Sequence, residues 1–166
     1  MKKSTLLAAL LLTITFSYSQ SAKKLVKTGI TKFQKEDYKG AIAEYTKAIE
    51  IDSNYADAYF YRGYTKFTLK DYQGAIIDYT KNVELDPKSY DGFIDRGDVK
   101  YILKDYKGAI DDFSSSLELY STDYETYFKR GRAKYDTAGY RGAIDDFSSA
   151  INLNPYNKFD FENNYK

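Results

Sequence analysis

A short motif recurs four times in this chain at a constant spacing of 34 residues. The pattern Tyr-x-Gly-Ala-Ile occupies residues 38–42, 72–76, 106–110 and 140–144. A second glycine keeps the same phase, at Gly29, Gly63, Gly97 and Gly131. A period of this length restricts the chain to a repeat architecture, because each unit is one supersecondary element that buries its apolar surface only by stacking on its neighbours.

Each repeat divides into two helical stretches of about 13 residues. In the second repeat, Tyr59, Gly63 and Phe67 recur at three-to-four spacing before Lys70-Asp71 interrupts the pattern. The helical pattern then resumes for the rest of the repeat. We therefore predict an all-α fold of four contiguous helix-turn-helix repeats, at residues 22–55, 56–89, 90–123 and 124–157.

The residues at fixed places in the repeat resemble the tetratricopeptide repeat (TPR) family, which has an aromatic residue fourth, Gly eighth, Ala twentieth and an aromatic residue twenty-fourth. The second repeat carries them as Tyr59, Gly63, Ala75 and Tyr79, followed by Pro87. The fourth repeat carries them as Tyr127, Gly131, Ala143 and Phe147, followed by Pro155. The resemblance implies a right-handed superhelical solenoid, and we expect the Gly and Ala of each repeat to face each other where its two helices cross.

The two ends of the chain have their own patterns. Residues 1–19 resemble a secretory signal peptide, with Lys2 and Lys3 before a short apolar run and small residues before a cut at Gln20. We therefore expect an exported protein, periplasmic or extracellular, with a TPR domain over 20–157 and no stable insertion into the membrane after cleavage.

The last helix, expected at about 141–154, has no following hairpin to cover Ala150 and Ile151. Residues 158–166 contain Phe159, Phe161 and Tyr165. We expect this segment to be a short C-terminal cap or tail, or the last repeat to associate with another copy of the chain.

The composition argues against catalysis. The chain has 25 basic and 24 acidic residues and contains neither His nor Cys, so we expect no nucleic-acid binding, no metal site and no cofactor. The adjacent acids Asp111-Asp112 and Asp145-Asp146 recur at one repeat position, and we expect them to lie on a solvated face. The sequence thus predicts a binding protein and not an enzyme.

In members of the family the first helix of each hairpin lines a concave groove, and the resemblance transfers that role to particular residues here. The aromatic and charged residues at those places are Phe33, Asp57, Phe60, Tyr64, Phe67, Asp91, Asp98, Tyr101, Glu125, Phe128, Arg132, Tyr135 and Asp136. With Lys23, the charges at these places sum to about −3, which favours a basic and apolar partner. We expect a scaffold that binds a peptide segment of another protein by burying these rings.

Two further interpretations bear on the function. Some members of the family hold a chaperone's C-terminal carboxylate with Lys, Asn and Arg, but the corresponding places here include Val26, Ile30, Tyr61, Asp91 and Asp95. The resemblance therefore does not extend to that subtype. A glycan-binding module is the alternative function, because aromatic faces stack on sugar rings and carboxylates accept hydrogen bonds from sugar hydroxyls.

Overall fold

The computed structural model describes residues 20–155, and its regular secondary structure over that range is helical throughout. The helices are α1 (20–34), α2 (Tyr38–Ile51), α3 (Ala56–Thr68), α4 (Tyr72–Leu85), α5 (Tyr90–Ile102), α6 (Tyr106–Leu119), α7 (Tyr124–Asp136) and α8 (Tyr140–Leu153). Consecutive helices pair as four hairpins, one in each predicted repeat, so the predicted all-α repeat fold is confirmed. The predicted signal peptide, 1–19, and the predicted cap, 158–166, lie outside the described residues.

The chain divides into two compact units, Met1–Asp86 and Pro87–Lys166. The first unit contains helices α1 to α4, and the second contains α5 to α8. Within the second unit, α6 packs against both α5 and α7, and α7 packs against α8. Each unit is therefore two hairpins joined by helix packing.

The turn inside each hairpin has the same construction. The residue two places before the second helix has a positive φ of 60–64° in all four hairpins, at Glu36, Lys70, Lys104 and Ala138. An aspartate then caps three of the second helices: the carboxylates of Asp37, Asp71 and Asp105 each accept a hydrogen bond from the glycine N–H three residues later. Gly139 takes that place before α8, which begins without a side-chain cap.

The repeating glycine of each first helix lies against an aromatic ring of the second helix. A Cβ atom added at Gly97 would lie 2.7 Å from Cε1 of Phe113, and one added at Gly131 would lie 2.7 Å from Cε1 of Phe147. The expectation that glycine faces alanine is therefore incomplete, because the ring at the twenty-fourth place fills the space that the glycine leaves. Glycine costs about 1 kcal/mol of helix propensity, and the close ring packing offsets it.

A buried ion pair joins the two helices of three hairpins. Arg96 donates to both carboxylate oxygens of Asp112, at 2.9 and 2.6 Å, and Lys100 lies 2.8 Å from the same carboxylate. Arg130 and Lys134 hold Asp146 in the same way. The second hairpin repeats the arrangement with Arg62, Lys66 and Asp78.

This ion pair corrects the expectation that both acids of each adjacent pair are solvated. Asp112 and Asp146 are 3% exposed, whereas Asp111 and Asp145 lie at the surface. Neighbouring helical residues point about 100° apart, so only one acid of a pair can face the first helix. The arginines that recur sixteen residues before the buried acids were the sequence signal for this pairing.

The first hairpin carries a simpler version of the ion pair. Thr28 stands where the other hairpins have arginine, and Lys32 donates to Glu44 at 2.8 Å. This hydrogen bond raises the pKa of Lys32 and lowers the pKa of Glu44. Glu44 therefore stabilises the hairpin above its unfolded pKa, and that contribution is lost as the pH falls through the lower folded value.

Candidate functional site

The predicted groove residues of the first unit lie on α1 and α3, but most of their rings pack inside the unit. Phe33 lies 5.2 Å from Tyr38 and 5.4 Å from Tyr64 between ring centroids. Phe60 contacts Tyr79 and Phe67 contacts Tyr72 in the same manner. Among the predicted groove rings of this unit, only Tyr64 is exposed, at 43%. The first unit thus offers one exposed ring, and its other three predicted groove rings are half-buried.

The second unit brings its predicted rings together around a pocket of about 690 Å³. The pocket is lined by Tyr101 of α5, by Phe128, Arg132, Tyr135 and Asp136 of α7, and by Phe147 and Ile151 of α8. Its volume is in the range of small-molecule and peptide side-chain sites in proteins. Five of the thirteen predicted residues therefore meet at one site.

Two residues of the pocket were not predicted to contribute. Phe147 was named only as the aromatic residue at the twenty-fourth place of its repeat, and Ile151 only as an uncovered residue. Both lie on α8 and contribute apolar wall to the pocket. Ala150, which was also expected to be uncovered, is 0% exposed.

Tyr135 is the most accessible ring of the pocket, with 59% of its surface exposed. It packs edge-on against Tyr140 at 5.4 Å, and Phe128 contacts Phe147 at 5.5 Å. The aromatic wall therefore joins α7 to α8, with one face of Tyr135 available to a ligand. A ring of this size removes about 150 to 250 Å² from water when it is fully buried.

A polar cluster forms one side of the pocket. The guanidinium of Arg132 lies 5.0 Å from the ring centroid of Tyr101 and donates to the Tyr101 hydroxyl at 3.2 Å. That hydroxyl donates to Asp136 at 2.5 Å. Burial and the hydrogen bond to Asp136 raise the pKa of Tyr101, so the phenol keeps its proton at neutral pH. The pocket therefore presents both a positive and a negative group beside apolar rings.

Tyr101 is also part of the interior of its unit. It packs against a buried cluster of Ala109, Phe113 and Ala133, and its ring lies 5.3 Å from Tyr106. Tyr101 was predicted as a groove residue, and its ring also contributes to helix packing. The hydroxyl of Tyr101 faces the pocket, and its ring packs between the hairpins.

Asp98 lies beneath this cluster and has a basic partner. Lys129 donates to Asp98 at 2.6 Å, and both residues line a second cavity of about 30 Å³ together with Tyr101, Phe113 and Arg132. Burial raises the pKa of Asp98, and Lys129 opposes that shift. Lys129 was absent from the predicted groove set, so the charge that a partner meets here is less negative than the predicted sum.

The remaining predicted acids lie near the starts of the first helices. Asp57 and Asp91 are exposed in the first turns of α3 and α5. Glu125 is exposed in the first turn of α7 and accepts a hydrogen bond from Tyr124 at 3.0 Å. Acidic side chains at these places complement the helix dipole. They lie outside the lining of the pocket.

Two structural features of the described part of the chain concern metal-ligating side chains and membrane-spanning helices. Residues 20–155 contain no group of three acidic, His or Cys side chains that could hold a metal ion. Among the helices of the same range, none is long and apolar enough to cross a bilayer.

Comparisons with known proteins identify the architecture. A family model described as TPR repeat matches residues 29–70, and one described as tetratricopeptide repeat matches residues 56–89. A comparison with curated protein sequences found no match. The two matched ranges fall on helices α1 to α4, where the second repeat carries the family's residues at their expected places.

Solved structures with the same fold include both bacterial and eukaryotic proteins. MamA from Desulfovibrio magneticus RS-1 has a TM-score of 0.76 at 20% identity, over 81% of this chain and 76% of that chain. The first TPR domain of Spaghetti (RPAP3), bound to the HSP90 peptide SRMEEVD, has a TM-score of 0.70 at 26% identity, over 72% of this chain and 95% of that chain. The Arabidopsis OM64 TPR domain scores 0.68 at 24% identity, over 72% of this chain and 98% of that chain. With four hairpins of 34-residue period, this chain belongs to the tetratricopeptide repeat family.

Proposed function

We propose that this chain is a non-catalytic scaffold that binds a peptide segment of another protein in the pocket of its second unit. The observation that carries the proposal is the pocket of about 690 Å³ whose aromatic wall includes the exposed ring of Tyr135. Large apolar side chains of a partner gain most from such a site, because each buried ring contributes about 4 kcal/mol or more before ordering costs are subtracted.

The polar cluster gives the pocket its selectivity. Arg132 and Asp136 stand on one side of the aromatic wall and can pair with a carbonyl and an amide or basic group of an extended peptide. The carboxylate of Asp136 favours a basic residue beside the apolar anchor. The partner segment that fits these features is apolar or aromatic, with a flanking Lys or Arg.

The comparison with RPAP3 supports peptide binding as the mode of action. Its TPR domain is bound to the HSP90 peptide SRMEEVD, and it shares the hairpin architecture of this chain. The lining of this pocket offers one basic side chain, Arg132, and the acidic Asp136 beside it, which does not match a peptide with three acidic residues. We therefore propose the same mode of binding with a different peptide chemistry.

A library of random peptides displayed on phage tests this function for a partner segment of any sequence. We expect peptides selected on the purified chain to be rich in apolar, aromatic and basic residues. Tyr135→Ala should weaken their binding about tenfold, because one engaged ring is worth at least 1.4 kcal/mol. Asp111→Lys is the matched control, since that residue is exposed on α6 and should leave binding within about twofold.

Two outcomes of the selection would contradict the proposal. The first is that Tyr135→Ala has no effect while Asp111→Lys abolishes binding, which would move the site to the second helices. The second is that no peptide is selected while a soluble-sugar array gives a ligand that Tyr135→Ala loses. That result would favour the glycan-binding function.

We also propose that the scaffold acts outside the cytoplasm, in the periplasm or beyond the cell. The support is the signal-like pattern of residues 1–19, in which Lys2 and Lys3 precede an apolar run. N-terminal sequencing of the protein recovered after expression in a Gram-negative cell should give Gln20 as the first residue. An intact Met1 on protein in the cytoplasmic fraction would contradict export.

A further inference from the structure

The pocket of the second unit lies beside the point at which residues 156–166 leave α8. The helix ends at Leu153, and Ile151 in its last turn is one wall of the pocket. Five residues of extended chain span about 16 Å, so the segment reaches the rings of α7 without any rearrangement of α8.

The composition of this segment complements the pocket. Tyr156, Phe159, Phe161 and Tyr165 supply four rings, and the carboxylates of Asp160 and Glu162 flank Phe161 in the sequence. Aromatic pairs with Phe128 and Tyr135 and charge pairing with Arg132 are the interactions that such a segment can make there.

The repeat period points to the same segment. Phe161 lies 34 residues after Tyr127, in phase with the aromatic residue at the fourth place of the preceding repeats. In the hairpin before, the helix that follows α6 is α7, and it covers the apolar face of α6. Residues 156–166 stand in the corresponding place after α8.

A second copy of the chain is a poorer fit to this face. The exposed residues of α1, the helix that would begin the next copy of the array, are mostly basic or hydroxylated: Ser21, Lys23, Lys24, Lys27, Thr28 and Thr31. Lysine side chains do not replace the rings that an aromatic pocket requires, because their ammonium groups retain water.

We propose that residues 156–166 occupy the pocket, with Phe161 as their anchor, and that the partner segment binds by displacing them. The second half of this inference rests on the proposed function. A segment of the same chain acts at an effective concentration of about 1 mM, so a weak intrinsic affinity is enough to keep the pocket closed. The apparent affinity for the partner then falls in proportion to the closed fraction.

Hydrogen exchange on the full chain tests whether the segment occupies the pocket. In the double variant Phe159→Ser/Phe161→Ser, we expect the amides of 140–153 to exchange about tenfold faster than in the wild type, because α8 loses its cover. The double variant Asn163→Ser/Asn164→Ser changes the same segment without removing a ring and should leave exchange unchanged. Equal exchange in the wild type and the phenylalanine variant would overturn the proposal.

The same experiment separates a self-occupied pocket from one covered by a second copy. If the loss of protection depends on protein concentration, the cover comes from another chain and the proposal is wrong. A synthetic peptide of residues 156–166 gives the second readout. It should bind the phenylalanine variant about tenfold more tightly than the wild type, whose pocket is already filled, and Tyr135→Ala in that variant should weaken binding about tenfold.

Failure of this inference is distinguishable from failure of the proposed function. If the phage-selected peptides lose affinity with Tyr135→Ala while exchange in 140–153 is insensitive to Phe161, the pocket binds partners and residues 156–166 do not compete for it. If exchange depends on Phe161 and selected peptides ignore Tyr135, the pocket is a folding contact and the peptide function is wrong.

Discussion

Helices α6 and α8 have nearly the same sequence and very different surroundings. Both follow the pattern Tyr-x-Gly-Ala-Ile-Asp-Asp-Phe-Ser-Ser, from Tyr106 in α6 and from Tyr140 in α8. Phe113 of α6 is 1% exposed, whereas its counterpart Phe147 is half-buried and lines the pocket.

Other residues of the pair show the same contrast. Ile110 is half-buried and Ile144 is 64% exposed, and the half-buried Tyr106 corresponds to Tyr140 at 56%. The difference follows from the neighbouring helices. Helix α7 packs on α6, whereas within residues 20–155 no helix follows α8 to pack on it in the same way. Identical residues are therefore core in one hairpin and the lining of an open pocket in the next, and the pocket depends on the place of the hairpin in the array.

Removing the phenylalanine ring of each helix should show the contrast between α6 and α8 most strongly. We expect Phe113→Ala to lower the free energy of unfolding by about 4 kcal/mol, because it leaves a cavity in a closed interior. Phe147→Ala should cost about 2 kcal/mol, since part of that ring already meets solvent or a ligand. Urea unfolding followed by circular dichroism measures both, and equal losses would show that α8 is as well covered as α6.

A larger residue in place of the repeating glycine tests the packing of the same two rings from the first helix of each hairpin. A side chain at Gly97 collides with a ring that cannot move, so Gly97→Leu should destabilise the chain by about 3 kcal/mol. Gly131→Leu meets Phe147, which can turn toward the pocket, and should cost about 1 kcal/mol less. Thermal unfolding gives both values, and an unchanged midpoint for Gly97→Leu would reject the glycine–ring packing.

The buried ion pair should contribute equally to the stability of the two hairpins, so the contrast between them is limited to their apolar residues. Asp112→Asn and Asp146→Asn each remove the charge from an acceptor that holds one arginine and one lysine, at a cost of about 2 kcal/mol. Chemical denaturation of both variants should give equal losses within experimental error. A much smaller loss for Asp146→Asn would mean that the whole hairpin is loosened at the open face, and not only its apolar residues.

The helix caps give the smallest expected effect. Asp105 caps α6, whereas Gly139 leaves α8 without a side-chain cap. Gly139→Asp should raise the midpoint of thermal unfolding by an amount equivalent to a few tenths of a kcal/mol, and Asp105→Gly should lower it by a similar amount. A loss of stability with Gly139→Asp would show that the turn before α8 requires glycine for its close contact with the Lys134 carbonyl.

The sequence was sufficient to predict the repeats, their phase and the division of each into two helices. These depend on local patterns, such as the spacing of Gly97 and Ala109, which recur unchanged in every repeat. The residues of the site were predicted only in part. Tyr135 and Arg132 were identified by their place on the first helix, but Phe60 and Phe67 occupy equivalent places and pack inside the first unit.

The unpredicted part of the site depends on which residues of other helices pack against each side chain. Phe147 carries the same sequence signal as Phe113, and the pattern within the repeat does not say which of them is covered. The partners of two acids were also missed, because Asp112 and Asp98 were considered without Arg96 and Lys129, which pair with them from other helices. Which charges pair across helices depends on how the helices pack. The 34-residue period indicates such a pair only when both partners recur in each repeat.

Hydrogen exchange of the Phe159→Ser/Phe161→Ser variant, in which we expect the pocket to be open, tests most directly whether a phage-selected peptide binds between α7 and α8. We expect the peptide to slow exchange in α7 (Tyr124–Asp136) and α8 (Tyr140–Leu153) about tenfold and to leave exchange in α6 (Tyr106–Leu119) unchanged. Protection of α6 equal to that of α8, or protection confined to the first unit, would contradict it.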